Sequence, residues 1–515
     1  MSSTLQILHG IEPIYDEWRN LWKDVSAGPF LHPGWHEAYL ESSPAGTRPE
    51  ILVVHTGDRL DAVLPLRRDT EGALKYLTAP RSDYDDALIR SGSEFAALDL
   101  LSGYLIADRF DLAEVPADSA LIASLSERGA RTAPAAYCPG IALDENSIAD
   151  VSNRTSVKRH EKKLAKLGPV VLRPVPAEES SDRLEEMIDQ HIARWLASGS
   201  ESLFFDESNV SFYEKLIGHP HFREFGSFDV LECGDRQAAF HLGLHGAETF
   251  IWYKPSFDLN LMSHGPGEVL MKYLIQSAFA SGATYFDFTR GNEGFKNRFA
   301  NAKTRNVRIY HRRPILPRAK AFVLGKGKRV RKILGSTKRR LTPNRHRSQC
   351  FFELAPPSIL PDLPSPFDHQ VGPIDLVAFG AQSRFNPSYV SKDRMRSAVE
   401  RAKRGDLLLT IRLKETGQIV HFSWLRVDEK GVQGDFALCP LPDANPAGVI
   451  FDCWTSPDCR GQGLYPWAIR RLAAEAHSKG LRPWIYCYED NVASKKGIEK
   501  AGIVSTTILS GRVKP

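Results

Sequence analysis

Residues 449–480 read VIFDCWTSPDCRGQGLYPWAIRRLAAEAHSKG, and their order decides the fold. An apolar run gives way to a short turn bearing Gly461 and Gly463, then to a stretch of helical period from Tyr465 to Lys479. This predicts a strand, a tight turn and a helix. Such a turn presents backbone N–H groups at the positive end of a helix dipole, the simplest device for holding a phosphate. Glycines there keep side chains out of the approach. Beyond the helix, PWIYCYED at 483–490 predicts the next strand, and Asn491 opens a short helix running to Lys500-Ala501-Gly502-Ile503.

Arg460, Gly461, Gln462, Gly463 and Leu464, followed about thirty residues later by Asn491-Val492-Ala493-Ser494, resemble the coenzyme elements of the GNAT superfamily of N-acyltransferases. The resemblance implies that these residues, with Asn491 and Ser494, bind acetyl-CoA or another acyl-CoA as co-substrate, and no metal is called for. Tyr465 stands where the family usually has Gly or Ala. Ile498 stands where many members carry a tyrosine that protonates the departing thiolate. Tyr486 or Tyr488 on the adjacent strand is therefore the candidate acid, and Asp452, on the strand before the turn, the candidate base for an attacking amine.

The run YKPSFDLNLMSHGPGEVLMKYLIQSAFASGATYFDFTRGNEGFKNRF at 253–299 repeats this logic in different letters. Gly265 and Gly267 open a helix predicted over 267–281 and are expected to contact a cofactor. The next strand ends at Asp287. Asp287 and Glu293 are candidate catalytic carboxylates, and Arg290 and Lys296 candidate contacts to a phosphate or sugar. An ion-pair network that merely pins the loop is the competing reading. The stretch resembles the acetyltransferase family linked to cellulose and exopolysaccharide biosynthesis (the CelD/BcsL type), itself GNAT-like and related in architecture to FemABX aminoacyltransferases. With Trp18, Trp22, Pro29-Phe30-Leu31, Trp35 and Ser82-Asp83-Tyr84-Asp85-Asp86, the resemblance covers about residues 10 to 312. It implies that the first half is a degenerate GNAT-like fold. Trp252 and Tyr253 read as packing residues. His241 and His245 share a strand face but lack a third ligand, so no metal site is expected.

A chain of 515 residues exceeds one ordinary core. Its net charge of +5 is unevenly spread: His311 to Ser348 holds 14 Lys/Arg and no Asp/Glu, leaving 53 basic against 62 acidic residues elsewhere. Bracketed by Pro314, Pro317 and Pro343, that segment reads as a basic linker. It could touch an anionic membrane or RNA; a solvated tether is the simpler reading, and no DNA partner is expected. The seven cysteines form no CxxC pair, which disfavours a disulfide scaffold or structural zinc. The start lacks the basic-then-apolar pattern of a secretory signal, and no apolar run approaches a membrane span. The expectation is cytoplasmic, with contact at the inner membrane through the linker as an open option.

The fold class expected is α/β (α+β): tandem GNAT-like acyltransferase folds with mixed central sheets flanked by helices. The expected units are 1–145, degenerate and GNAT-like; 146–312, of the exopolysaccharide type; the linker 313–348; and 349–515, a GNAT N-acetyltransferase domain. The function expected is direct acyl transfer from acyl-CoA to an amine of a small molecule, amino sugar or polysaccharide precursor. Two alternatives remain open: an aminoacyl-tRNA-dependent transferase of FemABX type, and an acyl-CoA-binding sensor or scaffold without turnover.

Overall fold

The protein is described from a computed structural model, which describes residues 2–311 and 346–512 apart from 45–46, 247, 356, 358, 386–389 and 443–444. The chain divides into two compact units, essentially 1–315 and 316–515. Of the expected linker 313–348, residues 313–345 lie outside those described and 346–348 lie in the strand His346–Leu354. No described helix is long and apolar enough to cross a membrane.

The first unit is built on one mixed sheet of 13 strands. Its edges are Ser3–Leu8 and Val170–Pro174. Residue 145, the expected boundary, opens the helix Glu145–Asn153, and strands from both sides of it belong to this sheet. Ala302–His311 inserts between Phe110–Pro116 and Arg131–Ala142, and Arg131–Ala142 also pairs with Tyr285–Asp287. Separate apolar clusters pack against the two halves. Leu101, Leu105, Leu121 and Leu125 cover one, and Leu270, Leu274 and Ile275 of the helix Pro266–Ala280 cover the other.

The second unit has a seven-stranded sheet in the order Phe367–Pro373, Leu407–Leu413, Ile419–Asp428, Ala447–Thr455, Arg482–Tyr488, His346–Leu354, Ile503–Arg512. Ala447–Thr455 and Arg482–Tyr488 form its parallel pair, joined by the helix Leu464–Ser478. Parallel strands are buried on both faces, which explains the unbroken apolar start of 447–451. One face meets Leu464, Ala468, Leu472 and Ala476 of the helix, each four residues from the next. The other meets Phe351, Val432 and Trp484. The mixed sheets flanked by helices are those expected from the sequence.

Leu472 is fully buried in the cluster that seats this helix. Leu472→Ala is expected to cost about 2–5 kcal/mol of unfolding free energy, read by chemical denaturation; a change within error would mean that the helix is not packed as described.

Candidate functional site

The parallel ladder of the second unit is short. It runs from Ala447↔Arg482 to Ile450↔Ile485, although the strands continue to Thr455 and Tyr488. What stops it is visible on the other side of the same strand. Against Ile419–Asp428, Trp454 pairs with Phe422 and Phe451 with Trp424, so three steps on one strand match two on the other. The extra residue is a β-bulge, and Asp452 within it has φ +45°. A non-glycine residue there carries strain, tolerated where the surroundings fix it. Past the bulge the two strands part.

Two cavities open at the parting. The first, about 480 Å3, is lined by Gln349, Arg401, Asp435 and Asp452 together with Tyr486 and Tyr488. The second, about 470 Å3, runs along Trp454 and Thr455 to the turn Arg460, Gly461 and Gly463, with Lys496 and Lys500 opposite. Four residues line both: Cys453, Tyr465, Asn491 and Ser494. The cavities meet where the strands separate.

The second cavity suits a chain carrying phosphates. Gly461 and Gly463 have φ near +80° (+81° and +79°), and a Cβ at either would meet open space. Both glycines therefore serve backbone conformation and leave the approach clear. Gly463 caps the helix Leu464–Ser478, whose first N–H groups have no partner within the helix. Arg460, Lys496 and Lys500 add positive charge to the walls. Asn491 is placed by its own capping role, its side chain accepting from the Ser494 N–H at 3.0 Å.

Tyr465 differs from what its place in the turn implies. Its ring packs on Gly497, where a Cβ would lie 2.4 Å from Cδ1. Its hydroxyl shares a 2.8 Å hydrogen bond with Ser494 Oγ. Burial pushes the phenol well above its ordinary range, so it stays protonated. Ile498 is fully buried in the core.

The first cavity is acidic and aromatic. Asp452 accepts from Arg401 Nη1 at 2.5 Å, and Arg401 lies over the rings of Trp424 and Phe451. Tyr486 donates to Asp435 at 3.3 Å, and Tyr488 lies under the Arg347 guanidinium. Tyr486 and Tyr488 line this cavity and not the other. The Gln349 amide is buried in its wall without a hydrogen-bond partner among the described residues.

The first unit gathers its singled-out residues differently. Asp287 ends its strand and is buried. Tyr84 donates to it at 2.5 Å and the Thr289 N–H at 2.7 Å. Burial pushes Asp287 up to about 6. Arg290 pairs with Asp83 at 2.5 Å and donates to the Pro80 carbonyl. Lys296 is buried, donating to the Arg290 carbonyl and pairing with the more exposed Glu293 at 3.1 Å. These contacts tie the loop after Asp287 to the acidic run 82–86. Lys254, with its ammonium 3.8 Å from the Tyr253 ring centroid, is pushed down by burial to about 8; nothing in its sequence context marked it. His241 is a buried member of an aromatic stack with Trp252 and Phe250, and its Nε2 accepts the Tyr253 N–H.

The turn at Gly265 and Gly267 is not open like its counterpart. Gly265 has φ +61°, and a Cβ on it would lie 2.3 Å from His160 Nδ1. The same nitrogen is 3.0 Å from Glu268, which also pairs with Arg298. Pro266 contributes no N–H, and the chain's own carboxylate already occupies the positive end of the helix.

With both units in view, family comparison places them together. Residues 151–297 match the model for an acetyltransferase (GNAT) domain, and residues 382–503 match that for the acetyltransferase (GNAT) family. The chain is a tandem GNAT-superfamily protein. No curated protein matches it. Among solved structures it is similar to FemX, at 9% identity and a TM-score of 0.45 over 59% of this chain and 96% of that one. It is also similar to L-PGS from Bacillus licheniformis, at 14% identity and 0.37 over 56% and 94%. A tandem GNAT protein from the clavulanic acid biosynthesis pathway matches at 13% and 0.34 over 60% and 98%. An acyltransferase follows from the two domains; these distant likenesses do not define its donor or acceptor.

Because the folded state raises Asp287 above its ordinary 3.8, it favours the protonated carboxyl. The stability this confers is complete below 3.8 and is lost as pH rises through about 6. Asp287→Asn stays neutral, so its melting temperature should fall less than the wild type's across that window. Parallel curves would show that Asp287 is not buried as described.

Proposed function

We propose that the second unit is an acyl-CoA-dependent N-acyltransferase that moves an acyl group, acetyl in the simplest case, directly to an amine. The observation that carries this is the meeting of two unlike cavities across the parted strands, one fitted to an extended phosphorylated donor and the other to a cation. Acyl-CoA, when bound, supplies the thioester.

The residues divide the work. The N–H groups at Gly461, Gln462, Gly463 and Leu464, with Arg460, Lys496 and Lys500, hold the phosphates. Asn491 and Ser494 line the passage towards the junction. Asp435 and Asp452 outnumber Arg401 in the first cavity, which favours a protonated amine over a carboxylate or phosphate compound. The aromatic rings of Phe451, Tyr486 and Tyr488 offer it an apolar wall. Asp452, which lines the first cavity next to Cys453 at the junction, accepts the proton of the attacking amine. The bulge also leaves a residue outside the ladder, freeing a backbone N–H to face the oxyanion.

The resemblance of residues 10–312 to exopolysaccharide-type acetyltransferases supports an amino sugar or polysaccharide precursor as the acceptor. The closed turn at Gly265 supports a division of labour in which the coenzyme belongs to the second unit. In the first unit, Asp287 and Glu293 are read as candidate catalytic carboxylates, and Arg290 and Lys296 as candidate contacts to a substrate of that unit's own.

Calorimetric titration of acetyl-CoA into the full chain is expected to show saturable binding that weakens with added salt. Gly463→Val, which puts a β-branched side chain at a left-handed position facing the phosphates, should weaken it by at least ~10-fold. No binding by the wild type would overturn the acyl-CoA reading and bring the aminoacyl-tRNA alternative forward.

A further inference from the structure

The donor-side acid is unassigned by the family pattern, because Ile498 stands at its usual place and is sealed in the core. We propose that Tyr465, linked to Ser494, is the group that protonates the departing thiolate. The inference rests on the acyl-CoA reading above and adds a catalytic residue to it.

The argument is one of position first. A donor in the second cavity and an amine in the first can react only at the junction, which Cys453, Tyr465, Asn491 and Ser494 line. The Asn491 side chain is committed as a helix cap. The Cys453 thiol is directed to the Phe451 carbonyl, at 3.8 Å. That leaves two hydroxyls, Tyr465 and Ser494, already joined at 2.8 Å. Tyr486 and Tyr488 sit on the acceptor side only.

Position is reinforced by packing. The Tyr465 ring reaches the junction because residue 497 is glycine; any Cβ there would collide with Cδ1 and Cε1. The tyrosine in the coenzyme turn and the glycine in the next helix are thus one arrangement, which delivers a phenol from the opposite helix to the one the family uses.

The step balances without a further reactant. The amine nitrogen forms its bond to the acyl carbon, and its proton passes to Asp452. The C–S bond breaks, its electron pair stays on sulfur, and the Tyr465 proton goes to that sulfur. Asp452 then releases its proton to solvent, and Tyr465 is reprotonated from solvent through the Ser494 hydroxyl.

A hydroxyl donor aimed at sulfur must also stabilise the thiolate of bound CoA, and that is measurable without any acceptor. Ultraviolet titration of the full chain with CoA, blanked against desulfo-CoA, gives the pKa of the bound thiol. Tyr465→Phe is expected to raise that pKa by about one unit, with CoA affinity within about threefold and a wild-type melting temperature, and Ser494→Ala to raise it less. If CoA fails to bind the wild type, both this proposal and the acyl-CoA reading fall. If CoA binds and Tyr465→Phe leaves the thiol unchanged, or Tyr488→Phe shifts it instead, only this proposal is overturned.

Discussion

The bulge at Asp452 is the constraint on which the second unit depends. Parallel strands that pair along their full length leave no space between them. One inserted residue, held at φ +45°, ends the register at Ile450↔Ile485 and turns a closed sheet into two cavities with a shared floor. The strain of a left-handed aspartate, of order 1–2 kcal/mol, is offset by the two-sided burial of residues 447–451 just before it and by the Arg401 ion pair just beside it. In the proposed function, the same residue is the carboxylate of the cavity assigned to the amine. Scaffold and chemistry share one backbone irregularity.

The two units use the same glycine-turn device to different ends. At Gly461 and Gly463 the space where side chains would be is empty, and the helix end faces a groove walled by Arg460, Lys496 and Lys500. At Gly265 the space is filled by His160, and Glu268 and Arg298 neutralise each other nearby. A motif read from letters alone cannot distinguish these cases, because the difference lies in a helix about a hundred residues upstream. In the first unit the buried polar chemistry gathers around Asp287, Tyr84, Asp83 and Arg290 instead.

Much of the fold was legible because it rests on local signals. The helix expected over 267–281 is Pro266–Ala280, and that over 465–479 is Leu464–Ser478, both set by apolar spacing and a glycine at the start. The tandem GNAT architecture followed from two spaced motifs with a strand between them. What stayed hidden is non-local. The insertion of Ala302–His311 between Phe110–Pro116 and Arg131–Ala142 depends on pairing across nearly two hundred residues, which no window of sequence reports. The bulge has no composition signal, since Asp452 is neither glycine nor asparagine. Lys496 and Lys500 were not singled out, because nothing local in the sequence shows that they line the same cavity as the glycine turn. Tyr465 looked like an obstruction in the turn until its partner Gly497 was seen thirty-two positions away.

Hydrogen–deuterium exchange of the full chain with and without CoA tests most directly that the open turn of the second unit, and not the closed turn of the first, holds the coenzyme. Protection is expected over 453–467 and 491–497, with 263–272 unchanged. Protection confined to 263–272, or CoA bound with no protection at 460–467, would contradict it.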